Sequence, residues 1–357
     1  MRVLVVNAGS SSLKLRLLGD DDVLHESADL EPGDAEDLAQ ALTSWPKPDV
    51  VGHRIVHGGN TFTGPIRIDD RIRAQLQDLT DLAPLHQPAS LAGLDAVTEQ
   101  LPNVASVACF DTAFHATIPI AAATYPVPAR WREEFGVRRF GFHGLSHAYA
   151  SRRAAEMSQT PAKTRVITCH LGGGASLAAV LDGVSVDTTM GFTPLEGLMM
   201  ATRSGSVDPG LVLWLQQQRQ LSADDVSTAL ESQSGLLALA GTADMREVEA
   251  GVQQGNDSCQ LALDVYVHRL AAGIAAMSAS LAGLDILVFT GGVGEHSPMI
   301  RRRVAEKLTY LGVQISEDDC ANADRDISET GAPVTTLVIT AREDLEVARQ
   351  LRQLLGR

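Results

Sequence analysis

Positive charge is scarce in this sequence. Twenty-nine Lys and Arg stand against 44 Asp and Glu over 357 residues, a formal charge of −15. That balance argues against nucleic acid or anionic membrane as the main partner, because both need basic surface. Any cation that an anionic ligand requires must be local. Cysteine is sparse too. Cys109, Cys169, Cys259 and Cys320 show no CxxC spacing, the pattern of free thiols in a reducing, cytoplasmic setting. The ten histidines include no HExxH or paired Cys/His spacing, which argues against zinc. A Walker-type P-loop is missing, as are the HRD and DFG motifs, so any nucleotide handling needs another fold. The apolar run at residues 1–7 is too short for a signal peptide. The longest apolar-leaning stretch, 258–284, carries Asp264, His268 and Arg269, so a buried helix is expected rather than a membrane span. Low-complexity tracts and long linkers are also lacking.

What is present is glycine placed directly after short apolar strands, three times. Val3-Leu4-Val5-Val6 runs into Asn7-Ala8-Gly9-Ser10-Ser11-Ser12-Leu13-Lys14. Val166-Ile167-Thr168-Cys169 runs into His170-Leu171-Gly172-Gly173-Gly174, and Ile286-Leu287-Val288-Phe289 into Thr290-Gly291-Gly292-Val293-Gly294. Glycine lets the backbone turn sharply and approach a ligand with no Cβ in the way. Successive N–H groups in such a turn form a concavity that favours phosphate. Three such turns point to a phosphorylated ligand held between several loops.

The length suits two domains, each able to bury a core. Leu13, Leu15 and Leu17 alternate with Lys14 and Arg16, a strand that pairs back on the first. The second turn repeats the arrangement, with Leu177 to Leu181 and the turn pair Asp182-Gly183, a weak internal duplication. Helices are expected over 71–79, 88–100, 146–157 with Ser146 near the N-cap, 298–311 with Pro298 in the first turn, and 343–355. A further strand is expected over 105–110. Strands alternating with helices give an α/β class.

Several residues could serve phosphoryl transfer, which asks for positioning, a metal and cations around the moving group. Arg54 lies in His53-Arg54-Ile55-Val56-His57-Gly58-Gly59, and Arg203 in Ala201-Thr202-Arg203-Ser204-Gly205. An arginine fork matches phosphate and carboxylate oxygens; a surface ion pair is the plainer alternative. His143, in Gly141-Phe142-His143-Gly144 ahead of a helix, could donate to developing negative charge or simply bond a local carbonyl. Asp111 ends a strand, where α/β proteins place polar site groups, or else caps the next turn. Glu343 opens the last helix, suited to a magnesium shell or merely to the helix dipole.

Taken together, these segments resemble the acetate kinase family, within the superfamily of acetate and sugar kinases, heat-shock chaperones and actin. Asn7 to Lys14 is similar to one family signature and Gly141 to His147 to the other. His53 to Gly59, Ala83-Pro84-Leu85-His86, Phe110 to His115 and Met190 to Leu198 match in family order, so the resemblance spans nearly the whole chain. It implies two domains of the duplicated actin-like ATPase (ribonuclease-H-like) fold with a cleft between them. The first would be an acyl and metal-side domain, 1–116 plus a returning helix at 345–357, and the second a nucleotide-binding domain, 117–344. It implies reversible, in-line transfer of the γ-phosphoryl of ATP to acetate by a cytoplasmic homodimer using Mg²⁺ (or Mn²⁺).

By position, the resemblance makes Arg54 and Arg203 the clamp on acetate and phosphoryl. His143 becomes the charge stabiliser and Asp111 the group that orients Arg54 or the substrate. Asn7 and Glu343 would hold the metal, while Val56, Leu85, Phe142 and Pro194 would wall the methyl pocket. Ser10, Ser12, Lys14, His170, Gly172, Gly174, Asp244, Arg246, Gly292, Val293 and His296 would bind the nucleotide. The chain departs from the family pattern at Gly173, Met245 and His296, which border the nucleotide, and at Arg342 beside the metal carboxylate. The stretch between Leu18 and Val50 is shorter than usual for the family. Propionate or butyrate as acceptor, GTP or pyrophosphate as donor, and a catalytically inactive nucleotide-binding regulator are the alternatives.

Overall fold

The computed structural model describes residues 1–9, 12–31, 33–84, 86–158, 164–316 and 324–356. Ser10, Leu85 and Cys320 lie outside them. The chain forms two compact units. One comprises Met1–Ala116, Phe142–Tyr149 and Arg342–Arg357; the other comprises Thr117–Gly141 and Ala150–Ala341. The first unit thus takes in Phe142–Tyr149, which a simple division of the sequence leaves in the second.

The first unit is built on β1 (Val3–Ala8), β2 (Leu13–Leu18), β3 (Leu24–Leu30), β4 (Val50–Ile55), β5 (Ile66–Arg67) and β6 (Ala105–Phe110). They form one sheet in the order β3-β2-β1-β4-β6-β5. β1 runs antiparallel to β2 but parallel to β4, and β4 runs parallel to β6. The run Val3-Leu4-Val5-Val6 is apolar throughout because both faces of β1 are covered, as parallel strands require. Val3 and Val5 pack with Val347, Ala348 and Leu351 of the terminal helix Glu343–Leu354. Leu4 and Val6 face the opposite core, with Val97 of the helix Gln87–Gln100. The terminal helix lies so close to β4 that a Cβ on Gly52 would come within 2.5 Å of Val347.

The second unit repeats this plan with β7 (Arg165–Leu171), β8 (Ala175–Leu181), β9 (Val184–Thr188), β10 (Ile286–Thr290), β11 (Arg325–Asp326) and β12 (Thr335–Val338). The sheet order is β11-β12-β10-β7-β8-β9. Read from the other edge, each strand has its counterpart: an antiparallel meander, two parallel neighbours, and a two-residue antiparallel edge strand. Even the register shift recurs, at Leu17/Leu18 and Ala179/Val180. The duplication read from two glycine turns extends to the whole sheet. Asp182 and Gly183 both take positive φ (53° and 77°) in the turn between β8 and β9, the hairpin geometry such a pair favours.

The stretch at 258–284 is a buried helix, Asp257–Leu281, capped by the Asn256 side chain on Ser258 and Cys259 and packed on β8. Among the described residues no helix is long and apolar enough to cross a membrane. Two boundaries differ from expectation. The helix expected from Ser146 starts at Gly144, because the Gly144 N–H donates to the Asp111 carbonyl and launches the first turn early. The helix expected to reach Leu311 ends at Lys307, and a short 3-10 turn, Thr309–Leu311, follows it before Gly312 at φ 89°.

Candidate active site

In the first unit, Asn7 of β1, Arg54 of β4 and Asp111, directly after β6, cluster towards the carboxyl ends of three adjacent parallel strands. That is where open α/β sheets present polar groups. Arg54 Nε lies 3.2 and 3.1 Å from the two Asp111 carboxylate oxygens, and its Nη2 lies 2.5 Å from one of them. The third arm, Nη1, donates to Asn7 Oδ1 at 2.9 Å. Glu343, the first residue of the terminal helix, accepts from Asn7 Nδ2 at 3.4 Å and stands 3.9 Å from Arg54 Nε. Asp111 is only 1% exposed. Burial works against the Arg54 charge, but the Asp111 and Glu343 carboxylates outweigh it and hold the guanidinium pKa above its ordinary value. The result is a permanently charged fork fixed at its back, with a fifth of its side chain still exposed.

His143 precedes the helix Gly144–Ser158 in a left-handed conformation, φ 56°, uncommon outside glycine. Gly144 follows at close quarters, where a Cβ would fall 2.2 Å from the Asp111 carbonyl. Phe142 is buried, its carbonyl 3.1 Å from His115 Nε2 and its ring edge-on to His57. Val56 is buried in the same unit. His57 Nδ1 accepts from the Gly59 N–H at 2.8 Å, and burial lowers its pKa to about 4. Burial likewise lowers His115 to about 4, against a raising contribution from the Phe142 carbonyl. His53 falls to about 3, burial outweighing Asp95. Three neutral imidazoles thus stand within this unit, a feature the sequence motifs did not disclose.

In the second unit Arg203 Nη1 reaches the Pro194 carbonyl at 3.4 Å, bringing those two candidates together. Burial lowers the Arg203 pKa, with Glu231 opposing. A cavity of about 540 Å³ gathers six more: Gly172, Asp244, Arg246, Gly292, Val293 and His296. Gly173 and Met245, two of the departures from the family pattern, line it as well. Asp244 caps the helix Met245–Gln253 and grips Arg246 by its side chain; that contact holds the Asp244 carboxyl below its usual range. His170 and Gly174 belong to the adjoining β7–β8 segment, where Gly172 N–H closes the turn on the Gly174 carbonyl, but they do not line the cavity. Ser12 and Lys14 sit in the first unit, Lys14 opposite Asn7 in the β1–β2 register. The third glycine segment is a strand-to-helix junction rather than an open turn, with helix Gly291–His296 starting at once.

The cavity also contains residues that sequence reasoning missed: Glu249, Tyr266 and Ser297. Glu249 sits four residues after Met245, on the same helix face, a signal that could have found it. Tyr266 lies within an apolar helix and gave none.

Two sheets of one topology give the actin-like ATPase fold, and the relatives make the chain a kinase with a carboxyl group as acceptor. The acetokinase family matches residues 34–349. The chain belongs to that family. It is 49% identical to the acetate kinase of Nostoc punctiforme over 311 residues, 86% of this chain and 76% of that one. The crystal structure of Porphyromonas gingivalis acetate kinase is similar at TM-score 0.91 and 34% identity, covering 99% of both chains. A propionate kinase from Francisella tularensis is similar at TM-score 0.91 and 34% identity, covering 98% of both.

Proposed function

We propose that this enzyme transfers the γ-phosphoryl group of ATP to acetate, reversibly, giving acetyl phosphate and ADP. The observation that carries the proposal is the Arg54 fork, backed by buried Asp111 and bonded to Asn7 beside Glu343. An acetate carboxylate oxygen attacks the γ-phosphorus in line, and the bond to the β–γ bridging oxygen breaks, its electron pair leaving with ADP. The nucleophile is already an anion at neutral pH, so the step needs no general base, in keeping with the neutral His57 and His115. What the protein supplies is orientation and charge stabilisation in a loose transition state. Arg54 holds the acyl oxygen, Arg203 takes charge from the equatorial phosphoryl oxygens, and His143 donates to the same group. On the first unit, Val56 and Phe142 offer the apolar wall for the methyl.

The Glu343 carboxylate is an anionic hard oxygen donor, and Asn7, whose Nδ2 lies 3.4 Å from it and whose Oδ1 accepts from Arg54, adds an amide oxygen nearby. That donor set fits Mg²⁺, which typically takes one or two carboxylates and completes its shell with phosphate and water. Among the described residues no three or more His, Cys, Asp or Glu converge as a metal cage, and a nucleotide-borne ion needs none. When bound, the ion neutralises phosphate charge and fixes the γ-phosphoryl. The 540 Å³ cavity, lined by Leu236, Met245 and Val293 beside polar groups, supports a nucleoside donor over pyrophosphate. A cytoplasmic homodimer completes the proposal. The helix Pro209–Arg219 buries none of its residues within the chain and exposes Leu211, Leu213 and Trp214, a face suited to a second copy; light scattering gives the mass that tests it.

A hydroxamate assay with ATP, Mg²⁺ and acetate tests the activity. Acyl hydroxamate is expected from acetate. The propionate kinase likeness favours one second reading, and a higher kcat/KM for propionate would establish it, since one methylene shifts discrimination by only ~1–3 kcal/mol. No product with any acid would refute the kinase activity.

A further inference from the structure

Tyr125, Arg139 and Glu196 have no part in the reaction as derived above, yet all three converge on one turn of the second unit. Residues 192–197 form no helix or strand, and each is only half-buried. Core packing therefore does not fix that segment; a polar network does. Arg139 Nη1 reaches three successive carbonyls, Thr188 at 3.2 Å, Thr189 at 3.1 Å and Met190 at 3.0 Å. Its Nη2 donates to Glu196 Oε1 at 2.8 Å, and the guanidinium lies over the Tyr125 ring, 5.5 Å from its centre. The Tyr125 hydroxyl donates to the other Glu196 oxygen and accepts from the Phe192 N–H at 3.0 Å. Burial, helped by Glu196, raises the phenol pKa, so the hydroxyl keeps its proton. One guanidinium and one phenol thus tie the start of the turn to its end, a span suited to arginine's fork.

What the turn holds in place is Arg203. The Pro194 carbonyl, inside it, accepts from Arg203 Nη1 at 3.4 Å. Directly after Glu196, the Gly197 N–H donates to Ser206 Oγ at 3.1 Å, and the Gly197 carbonyl accepts from the Ser206 N–H at 3.0 Å. The segment carrying Arg203 is therefore fastened to the turn at its side chain and again three residues on. We propose that Tyr125, Arg139 and Glu196 are positioning residues for phosphoryl transfer, which lock the turn 189–197 so that Arg203 presents its fork to the transferring group in one geometry. The inference rests on the role given to Arg203 above and adds what holds it there.

Kinetic double-mutant cycles on the full-length enzyme, read in the hydroxamate assay, test it. Glu196→Ala cuts the ties to both Arg139 and Tyr125, and Tyr125→Phe cuts one. Misplacing a catalytic group by about 1 Å can cost on the order of 100-fold. On that scale kcat should fall about 10- to 100-fold for Glu196→Ala and about 3- to 10-fold for Tyr125→Phe, with KM for ATP within about twofold of the parent. In an Arg203→Ala background each substitution should lower kcat by less than about twofold, because the group it positions is gone. A loss that does not act through Arg203 would multiply through unchanged. Equal losses in both backgrounds overturn the proposal, as does a parental kcat in both single variants. If Glu196→Ala fails to fold by circular dichroism, the Tyr125→Phe cycle decides alone. A parent that makes no acyl hydroxamate would sink the kinase reading and this inference with it; an active parent with the same losses in both backgrounds sinks the inference only.

Discussion

Asp111→Asn is the sharpest perturbation of the first unit. It conserves shape and removes one charge that is 1% exposed and touches Arg54 through three short contacts. The guanidinium would remain, facing a neutral amide, with Glu343 3.9 Å away as the nearest counter-charge recorded. Removing one partner of a buried pair costs about 3–5 kcal/mol. Because Arg54 keeps a fifth of its side chain exposed and Glu343 remains, the lower end applies, about 3 kcal/mol. At about 3 °C per kcal/mol for a unit of this size, the melting midpoint of that unit should fall by about 9 °C. Differential scanning calorimetry at neutral pH without ligand reads it directly. The decisive arm is the double variant Arg54→Met/Asp111→Asn, which removes the stranded charge with its partner. It should recover at least half of the loss, because replacing both members of a buried pair is often nearly neutral. A midpoint within about 2 °C of the parent for Asp111→Asn alone would refute this reasoning. So would a double variant in which the two single losses simply add.

Acid should weaken the first unit before it weakens the second. His53, His57 and His115 have folded pKa values of about 3, 4 and 4, below their ordinary 6.5. The unfolded chain therefore takes up protons first as pH falls. Their contribution is complete above about pH 6.5 and is lost as pH drops towards 4, up to about 2 kcal/mol per histidine at pH 5. Urea melts at pH 7 and pH 5 check this, and equal stability at the two would contradict it. Gly144→Ala should cost about 1–3 kcal/mol by overpacking and slow turnover, since its Cβ would strike the Asp111 carbonyl at 2.2 Å; melting and rate assays read both, and no change in either would show that the contact relaxes freely. Arg203→Ala should lower kcat by about 10²–10³ with an unchanged circular dichroism spectrum. A near-normal kcat in that folded variant would remove Arg203 from the transition state.

The fold was legible where the local pattern is strong. Val3 to Val6 and Ile286 to Phe289 read as buried strands because nothing polar interrupts them. Leu13, Leu15 and Leu17 read as a half-buried strand by their alternation. The edge strands Ile66–Arg67 and Arg325–Asp326 are too short for any periodicity to register. Ser146 misled because it is a good cap residue. The helix begins two residues earlier, after a left-handed His143 that propensity does not foresee and with the Gly144 N–H on the Asp111 carbonyl. In the site, Arg54 and Asp111 could be noticed one by one, but their mutual grip joins β4 to the end of β6, and that proximity is set by sheet order. Tyr266 lay hidden for a similar reason: within an apolar helix, nothing in the one-dimensional pattern separates a core-filling ring from one that borders a cavity.

The terminal helix has a consequence for how the protein is made. Val347, Ala348 and Leu351 cover the face of the first sheet formed by Val3, Val5, Val50 and Val107. Translation delivers that cover last, after the whole second unit. At about 5–20 residues per second, on the order of 20–70 s separates the first strand from its lid. During that interval an apolar surface waits on the ribosome while the later unit can already fold. The nascent chain is therefore a client for chaperones, and a stop codon in place of Glu343 would release a protein with its second unit whole and its first permanently open.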